Sequence, residues 1–224
     1  MKKILILQGG LNEEHKVSIN TANEVAKVLT KLKIDFIRFT VNPKTFVRDI
    51  SRFSNKHICF NSLHGSFGED GKIQKILKKK GFSFTHSNQN SSINCFNKIK
   101  SKEIIKKYKI LTPSHKLVKI KDIDHKYLEK ISIKFKKFVL KPVSSGSSYG
   151  LKVIKSKKDL TFFCKEIQKF KRNFNYNEYF IIEKYISGKE LTVSVLENKL
   201  KTKPLEVTEI VSLNQTYDYQ AKYT

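Results

Sequence analysis

Cysteine is scarce in this 224-residue chain: Cys59, Cys95 and Cys164 lie far apart, with no CxxC pair and no His/Cys cluster beside them. That spacing argues against a disulfide framework and against zinc, and the expectation is three small buried apolar side chains in a reducing compartment. Long apolar runs are missing too. None approaches the roughly twenty residues of a membrane-spanning helix, and Met1-Lys2-Lys3 leads straight into Ile4 to Leu7, too short for a signal-peptide core. A cytoplasmic protein without a membrane partner is expected. Arginine is the third shortage, with only Arg38, Arg48, Arg52 and Arg172 contributing to a formal net charge of +25. The charge is therefore mostly lysine, spread over helical stretches (72–80, 98–109, 155–171) with no basic tail. Arginine is the residue suited to bidentate phosphate and base contacts, so nucleic acid is not the expected partner. Abundant Lys, Ile, Asn and Phe together fit a coding bias toward A/T-rich codons. There is no Walker A sequence, no GxGxxG fingerprint and no internal repeat.

What is present is periodic apolar patterning in a chain that is 39% hydrophobic, enough for a globular core and for one large or two smaller domains. Lys3 to Leu7 reads as a strand ended by Gly9-Gly10. The loop Asn12-Glu13-Glu14-His15 precedes a helix from about Ser18 to Leu32, with Ile19, Ala22, Val25, Ala26, Leu29 and Leu32 on one face. A strand over 35–41, a short helix near 44–53 and a strand over 58–63 complete a β-α-β-α-β run, which implies a parallel sheet covered by helices. His64-Gly65 and Gly68-Glu69-Asp70-Gly71 follow the third strand, ahead of a helix over 72–80. Open parallel sheets bind ligands at the carboxyl ends of their strands. Glu14 and His64 stand at two such ends, which makes His64 a ligand-facing candidate. The Ser/Asn-rich stretch 87–94 reads as a domain boundary.

Beyond it, helices are expected over 96–108 (carrying Lys98), 121–135 and 157–170, and strands over 179–186, 189–196 and 203–211, with a turn at Asn198-Lys199. Among them lies FVLKPVSSGSSYG, residues 138–150. Phe138-Val139-Leu140 is a buried-strand run that delivers Lys141 at its end, and Pro142 stops the ladder for want of an N–H. The following Ser/Gly loop offers hydroxyls and free amides. A cation at a strand end beside such a loop suits a polyphosphate; a surface hairpin with a solvated lysine is the other reading of the same residues.

Six blocks in order make the chain resemble the D-alanine–D-alanine ligases of the ATP-grasp superfamily: QGG…EEHKVS (8–18), LHGSFGEDGKIQ (63–74), the lysine of FNK (96–98), LKPVSSGSSYG (140–150), IIEKYISGKELTV (181–193), and LEVTEI with YDYQAKY (205–223). The resemblance implies an α/β and α+β fold. It would comprise an N-terminal parallel-sheet, Rossmann-like domain (1–95), a central ATP-grasp subdomain (96–186) and the start of a C-terminal ATP-grasp subdomain (187–224). It makes Lys98 and Lys141 contacts to ATP phosphates, and places Ser147 and Ser148 in the mobile loop over them. Glu183, Lys184 and the backbone near Ile186 would frame the adenine, and Glu190 would hold the ribose. Glu14 matches the acid that receives the amino group of the first D-alanine, with His64 near its carboxylate. Tyr223 matches the tyrosine that orients substrate with Glu14 and Ser147, and Lys222 the lysine that closes over the nucleotide. The implied reaction activates one D-alanine carboxylate as an acylphosphate, which the amine of a second D-alanine attacks, for peptidoglycan precursor synthesis. A cytoplasmic homodimer is implied, as is Mg²⁺ or Mn²⁺.

The departures carry expectations of their own. Phe96-Asn97 stand where the family has Met-Asp, and His86 where it has glycine. The family's metal ligands, phosphoryl-stabilising arginine and second-substrate site lie beyond Thr224, so no metal ligand is expected in these residues and slow turnover is expected of them alone. Glu14 and His64 are expected to sit away from the lysines of the central subdomain. Val193, Val195 and Val207 are expected as exposed apolar edges. Two alternatives stay open: a D-alanine–D-lactate type of ATP-grasp ligase, and a non-catalytic nucleotide- or nucleic-acid-binding relative. A steep loss of affinity with salt would mark the nucleic-acid binder.

Overall fold

The computed structural model describes residues 3–197 and 201–211. The turn expected at Asn198-Lys199 and the candidates Lys222 and Tyr223 lie outside the described residues. The first part of the chain alternates strands and helices: β1 (Ile4–Gly9), α1 (His15–Lys31), β2 (Phe36–Val41), α2 (Phe46–Asp49), β3 (Ile58–Asn61), α3 (Lys72–Lys79) and β4 (Ser83–Phe84). The strands form one sheet in the order β2-β1-β3-β4, every pairing parallel. In β1, Leu5, Ile6 and Leu7 are all fully buried. A parallel strand covered on both faces reads as a continuous apolar run, not as an alternating one. Phe46, Ile50, Ile73, Leu77 and Phe82 close the core against it.

Helix α1 starts three residues earlier than its apolar pattern indicates. Ser18 is fully buried, and its hydroxyl accepts the Gly9 N–H at 2.8 Å, so this first turn is fixed by the loop beneath it. Leu32 is the residue after the helix and is 60% exposed, off the buried face. The Ser/Asn-rich stretch expected as a boundary is helical: α4 (Gln89–Phe96) begins where the Asn88 side chain accepts the Ser91 N–H at 3.0 Å. Asn97 then starts α5 (Lys98–Lys107), close to the helix expected over 96–108, its side chain accepting from Ile99 N and Lys100 N. Short polar side chains favour caps over helix interiors, and here Asn88 and Asn97 start two consecutive helices. Cys95 in α4 is exposed, contrary to the expectation of burial, while Cys59 is buried.

The second sheet comprises β5 (His115–Lys119), β6 (Phe138–Pro142), β7 (Lys152–Ile154) and β8 (Tyr179–Lys184), in the order β5-β8-β6-β7 and antiparallel throughout. Pro142 is the last residue of β6, as its missing donor requires. Helices α6 (His125–Phe135) and α7 (Lys157–Lys171) cover the sheet with Leu128, Ile131, Phe163 and Ile167. Asp124 caps α6, and Ser156 with Asp159 forms a reciprocal capping box on α7. A final hairpin, β9 (Glu190–Glu197) and β10 (Thr202–Ile210), pairs only with itself among the described residues. Val193, Val195 and Val207 are exposed on it, as expected. No described helix is long and apolar enough to cross a membrane.

Candidate active site

The loop after β1 and the loop after β3 are tied together by one side chain. Asn12 donates to the carbonyls of His64 (2.8 Å) and Ser66 (3.0 Å), while its own carbonyl accepts the Glu14 N–H at 3.0 Å. Glu14 is thereby carried into the interior and is only 1% exposed. The Ser147 hydroxyl, from the loop between β6 and β7, donates to Glu14 Oε1. The other oxygen, Oε2, is buried without a hydrogen-bond partner. Two glycines make this closure possible. A Cβ on Gly65, which has φ +68°, would stand 2.3 Å from Oε2, and one on Gly146 would stand 2.9 Å from it. A buried carboxylate with one bare oxygen is an acceptor site that an incoming cation or donor can satisfy.

His64 sits beside this carboxylate. Its Nε2 is 2.9 Å from the Thr21 hydroxyl and its Nδ1 is 3.7 Å from Glu69 Oε1. Burial holds the imidazole below its ordinary pKa, with Glu14 opposing and His86 adding to the shift. The ring is therefore neutral at pH 7, one nitrogen donating and the other accepting. Glu69 accepts the Gly65 N–H at 3.0 Å, and its pKa is raised by burial, the Gly65 bond opposing and Glu14 reinforcing.

At the other end, lysines dominate. The Lys98 N–H reaches the Val143 carbonyl at 3.0 Å, docking the start of α5 on the end of β6. Lys98 Nζ donates to the Ser145 carbonyl at 2.7 Å. Burial, and then the neighbouring Lys141 charge, lower the Lys98 pKa to about 8, against a raising effect from Glu183. Glu183, 6% exposed in β8, receives Lys102 on Oε1 at 2.7 Å and Lys141 on Oε2 at 2.5 Å. Burial pushes its pKa up, but the hydrogen bonds and charges of Lys102 and Lys141 outweigh that and hold it below the usual carboxylate range. Three ammonium groups around one carboxylate leave an excess of positive charge suited to an anion.

A cleft of about 480 Å³ takes His64 from the first group and Lys98 from the second, with Thr21, Glu69, Ser145 and Gly146 also in its lining; Glu14, Lys141 and Glu183 lie behind that lining. Glu14 and His64 stand apart from the lysines, as expected from their places at strand ends of the first sheet, but the 144–150 loop reaches both groups, through Ser147 to Glu14 and through the Ser145 carbonyl to Lys98. Lys98, Lys141 and Glu183 are gathered at one end, Glu14, His64 and Ser147 at the other. Ser148 stands in the same loop, with left-handed φ of +59° beside +46° at Ser147. Lys184, Ile186 and Glu190 are exposed along the chain that leaves β8. Asn12, Thr21, Glu69 and Lys102 were missed from sequence. Lys102 had a signal, since it lies four residues after Lys98 and so on the same helical face. Among the described residues, no three His, Cys, Asp or Glu side chains gather as a metal site requires.

The family model described as the D-ala D-ala ligase C-terminus matches residues 101–224. The D-alanine–D-alanine ligase of Pelagibacter ubique is 38% identical over 227 residues, an alignment spanning 99% of this chain and 69% of that protein. The ligase of the same name from Bacillus anthracis is 33% identical over 222 residues, spanning 99% of this chain and 68% of the relative. Among solved structures, the Bacillus anthracis D-alanine–D-alanine ligase complexed with ATP superposes with a TM-score of 0.71 at 28% identity, over 94% of this chain and 67% of that one.

Proposed function

Because this chain belongs to the D-alanine–D-alanine ligase family, we propose that it serves the ATP-dependent joining of two D-alanine molecules to D-alanyl-D-alanine for peptidoglycan precursors, in the cytoplasm and as a homodimer. Residues 1–95 form the unit for the first D-alanine, 96–186 the central nucleotide unit, and 187–224 the beginning of the next. ATP supplies a phosphoryl group that converts the D-alanine carboxylate into a mixed anhydride with a good leaving group.

The observation that carries this reading is that one loop, 144–150, joins an unsatisfied buried carboxylate to a lysine cluster, through Ser147 to Glu14 and through the Ser145 carbonyl to Lys98. Glu14 Oε2 lacks a donor, and the ammonium of D-alanine is a donor of the right charge. Ser147 holds the other oxygen and fixes the carboxylate's orientation. His64, neutral and steadied by Thr21, is assigned to the substrate carboxylate. Lys98 and Lys141 are assigned to the phosphates, where compact ammonium charges meet oxygens whose charge redistributes during transfer. Ser148 covers them in the same loop. Glu183, Lys184, the backbone at Ile186 and Glu190 flank the nucleoside, and Lys222 and Tyr223 keep their family roles as part of the proposal. The family's chemistry calls for Mg²⁺ or Mn²⁺. The described residues supply no fitting ligand cluster, so no step is assigned to the ion.

Calorimetric titration with ATP tests the reading. Lys141→Ala weakens binding on the order of tenfold or more, the scale of a charge-assisted phosphate contact, whereas the exposed Lys79→Ala stays within about twofold. Equal effects from the two substitutions would overturn it.

A further inference from the structure

The Glu183 carboxylate is shared between two lysines that differ in depth. Lys102, whose side chain is 11% exposed, bonds Oε1 at 2.7 Å and also donates to the Pro113 carbonyl at 3.1 Å. Lys141, 28% exposed, bonds Oε2 at 2.5 Å. The deeper ammonium is tied to backbone on one side and to the carboxylate on the other. The shallower one stands near the end of β6, one residue before Pro142 and the loop that follows. For Lys141 to meet a phosphate oxygen it must share or leave Glu183. If Lys141 were the carboxylate's only cation, that movement would strand an unpaired buried charge, which is strongly unfavourable.

We propose that Lys102 is a positioning residue for nucleotide binding: it keeps Glu183 ionised and paired, so that Lys141 is free to turn its ammonium to a phosphate. This rests on the nucleotide reading above. It also bears on Lys98, because an ionised Glu183 favours the protonated form of that lysine. Lys102 itself need not touch the ligand, since its donors are directed to Glu183 and Pro113. Its effect on ATP must therefore run through the carboxylate, which separates it from both a direct contact and a purely structural lysine.

The test is a double-mutant cycle on the 224-residue chain, with ATP affinity read by calorimetry and folding by thermal melting. Lys102→Met lowers affinity on the order of tenfold, the scale of breaking one side of a buried charge pair, and Lys102→Arg restores most of it. In a Glu183→Gln background the same Lys102→Met change alters affinity by less than about twofold, because the group it acts through is already neutral. Should Lys102→Met fail to fold, Lys102→Gln removes the charge, retains a donor for Pro113 and enters the same cycle. Wild-type affinity in Lys102→Met, or an equal loss in both backgrounds, would overturn the inference while leaving the nucleotide site intact. A wild-type chain that binds no ATP would overturn the nucleotide reading itself, and this inference with it.

Discussion

Two buried carboxylates belong to the two side-chain groups that the 144–150 loop joins, and their surroundings are opposite. Glu183 is held between Lys102 and Lys141, so its charge is already neutralised and its work is to organise cations. Glu14, equally buried, meets a hydroxyl and the backs of two glycines, with one oxygen bare. Burial alone therefore does not define a functional acid. A carboxylate whose partners are all protein groups holds structure together, while one with an unfilled lone pair is prepared for a cation that arrives with the substrate.

The strongest way to break the comparison is to remove Glu183. Glu183→Ala leaves Lys102 buried without its counter-ion and costs about 3–5 kcal/mol of stability. Glu14→Gln, which strands no cation, should shift stability by less than about 1 kcal/mol. Chemical denaturation of both variants gives the contrast, and equal losses would mean that Glu14 is also a structural ion-pair partner. Gly65→Ala probes the closure over Glu14. Its left-handed φ and the 2.3 Å approach of a Cβ to Oε2 predict a loss of about 1–3 kcal/mol, together with weakened D-alanine binding and nearly unchanged ATP binding. A Gly65→Ala protein as stable as wild type would show that the loop yields without cost.

A smaller effect sharpens the lysine end. Burial and Lys141 depress the Lys98 pKa from 10.5 to about 8, so the unfolded chain binds the extra proton between those values. Stability of the free protein should therefore gain from this group as pH rises through about 8 toward 10.5. ATP affinity should move the other way, falling as the ammonium is lost. Lys98→Met should flatten both trends. Parallel trends in stability and affinity would remove Lys98 from the phosphate site.

Much of the fold was legible in the chain, and the reasons are local. Leu5 to Leu7 and Phe138 to Leu140 are short apolar runs that became strands of the two sheets, Ile58 to Phe60 became part of β3, and α7 followed its Leu160–Phe163–Ile167 spacing. What escaped was decided by polar side chains acting at a distance or as caps. Asn88 turned a Ser/Asn-rich stretch into helix α4 by accepting an amide proton at its start, and Asn97 set the start of α5 in the same way. β4, only two residues long, carries no periodicity to read. At the site, the motif resemblance identified Glu14, Ser147, Lys98, Lys141 and Glu183. It grouped Glu14 with Ser147, which meet across 133 residues of sequence, but it did not reveal that the Ser145 carbonyl of the same loop holds Lys98, nor that Lys102 shares Glu183. Such placements depend on how the loop between β6 and β7 packs against the first sheet, and no local pattern encodes that.

The difference between the two carboxylates is tested most directly by crossed calorimetry, titrating D-alanine and ATP separately into Glu14→Gln and Glu183→Gln proteins. Glu14→Gln should weaken D-alanine on the order of tenfold or more, as loss of a buried charge contact does, with ATP within about twofold of wild type. Glu183→Gln should show the reverse order of effects. A Glu14→Gln protein that binds D-alanine as tightly as wild type would contradict the assignment of the bare oxygen to the substrate's ammonium.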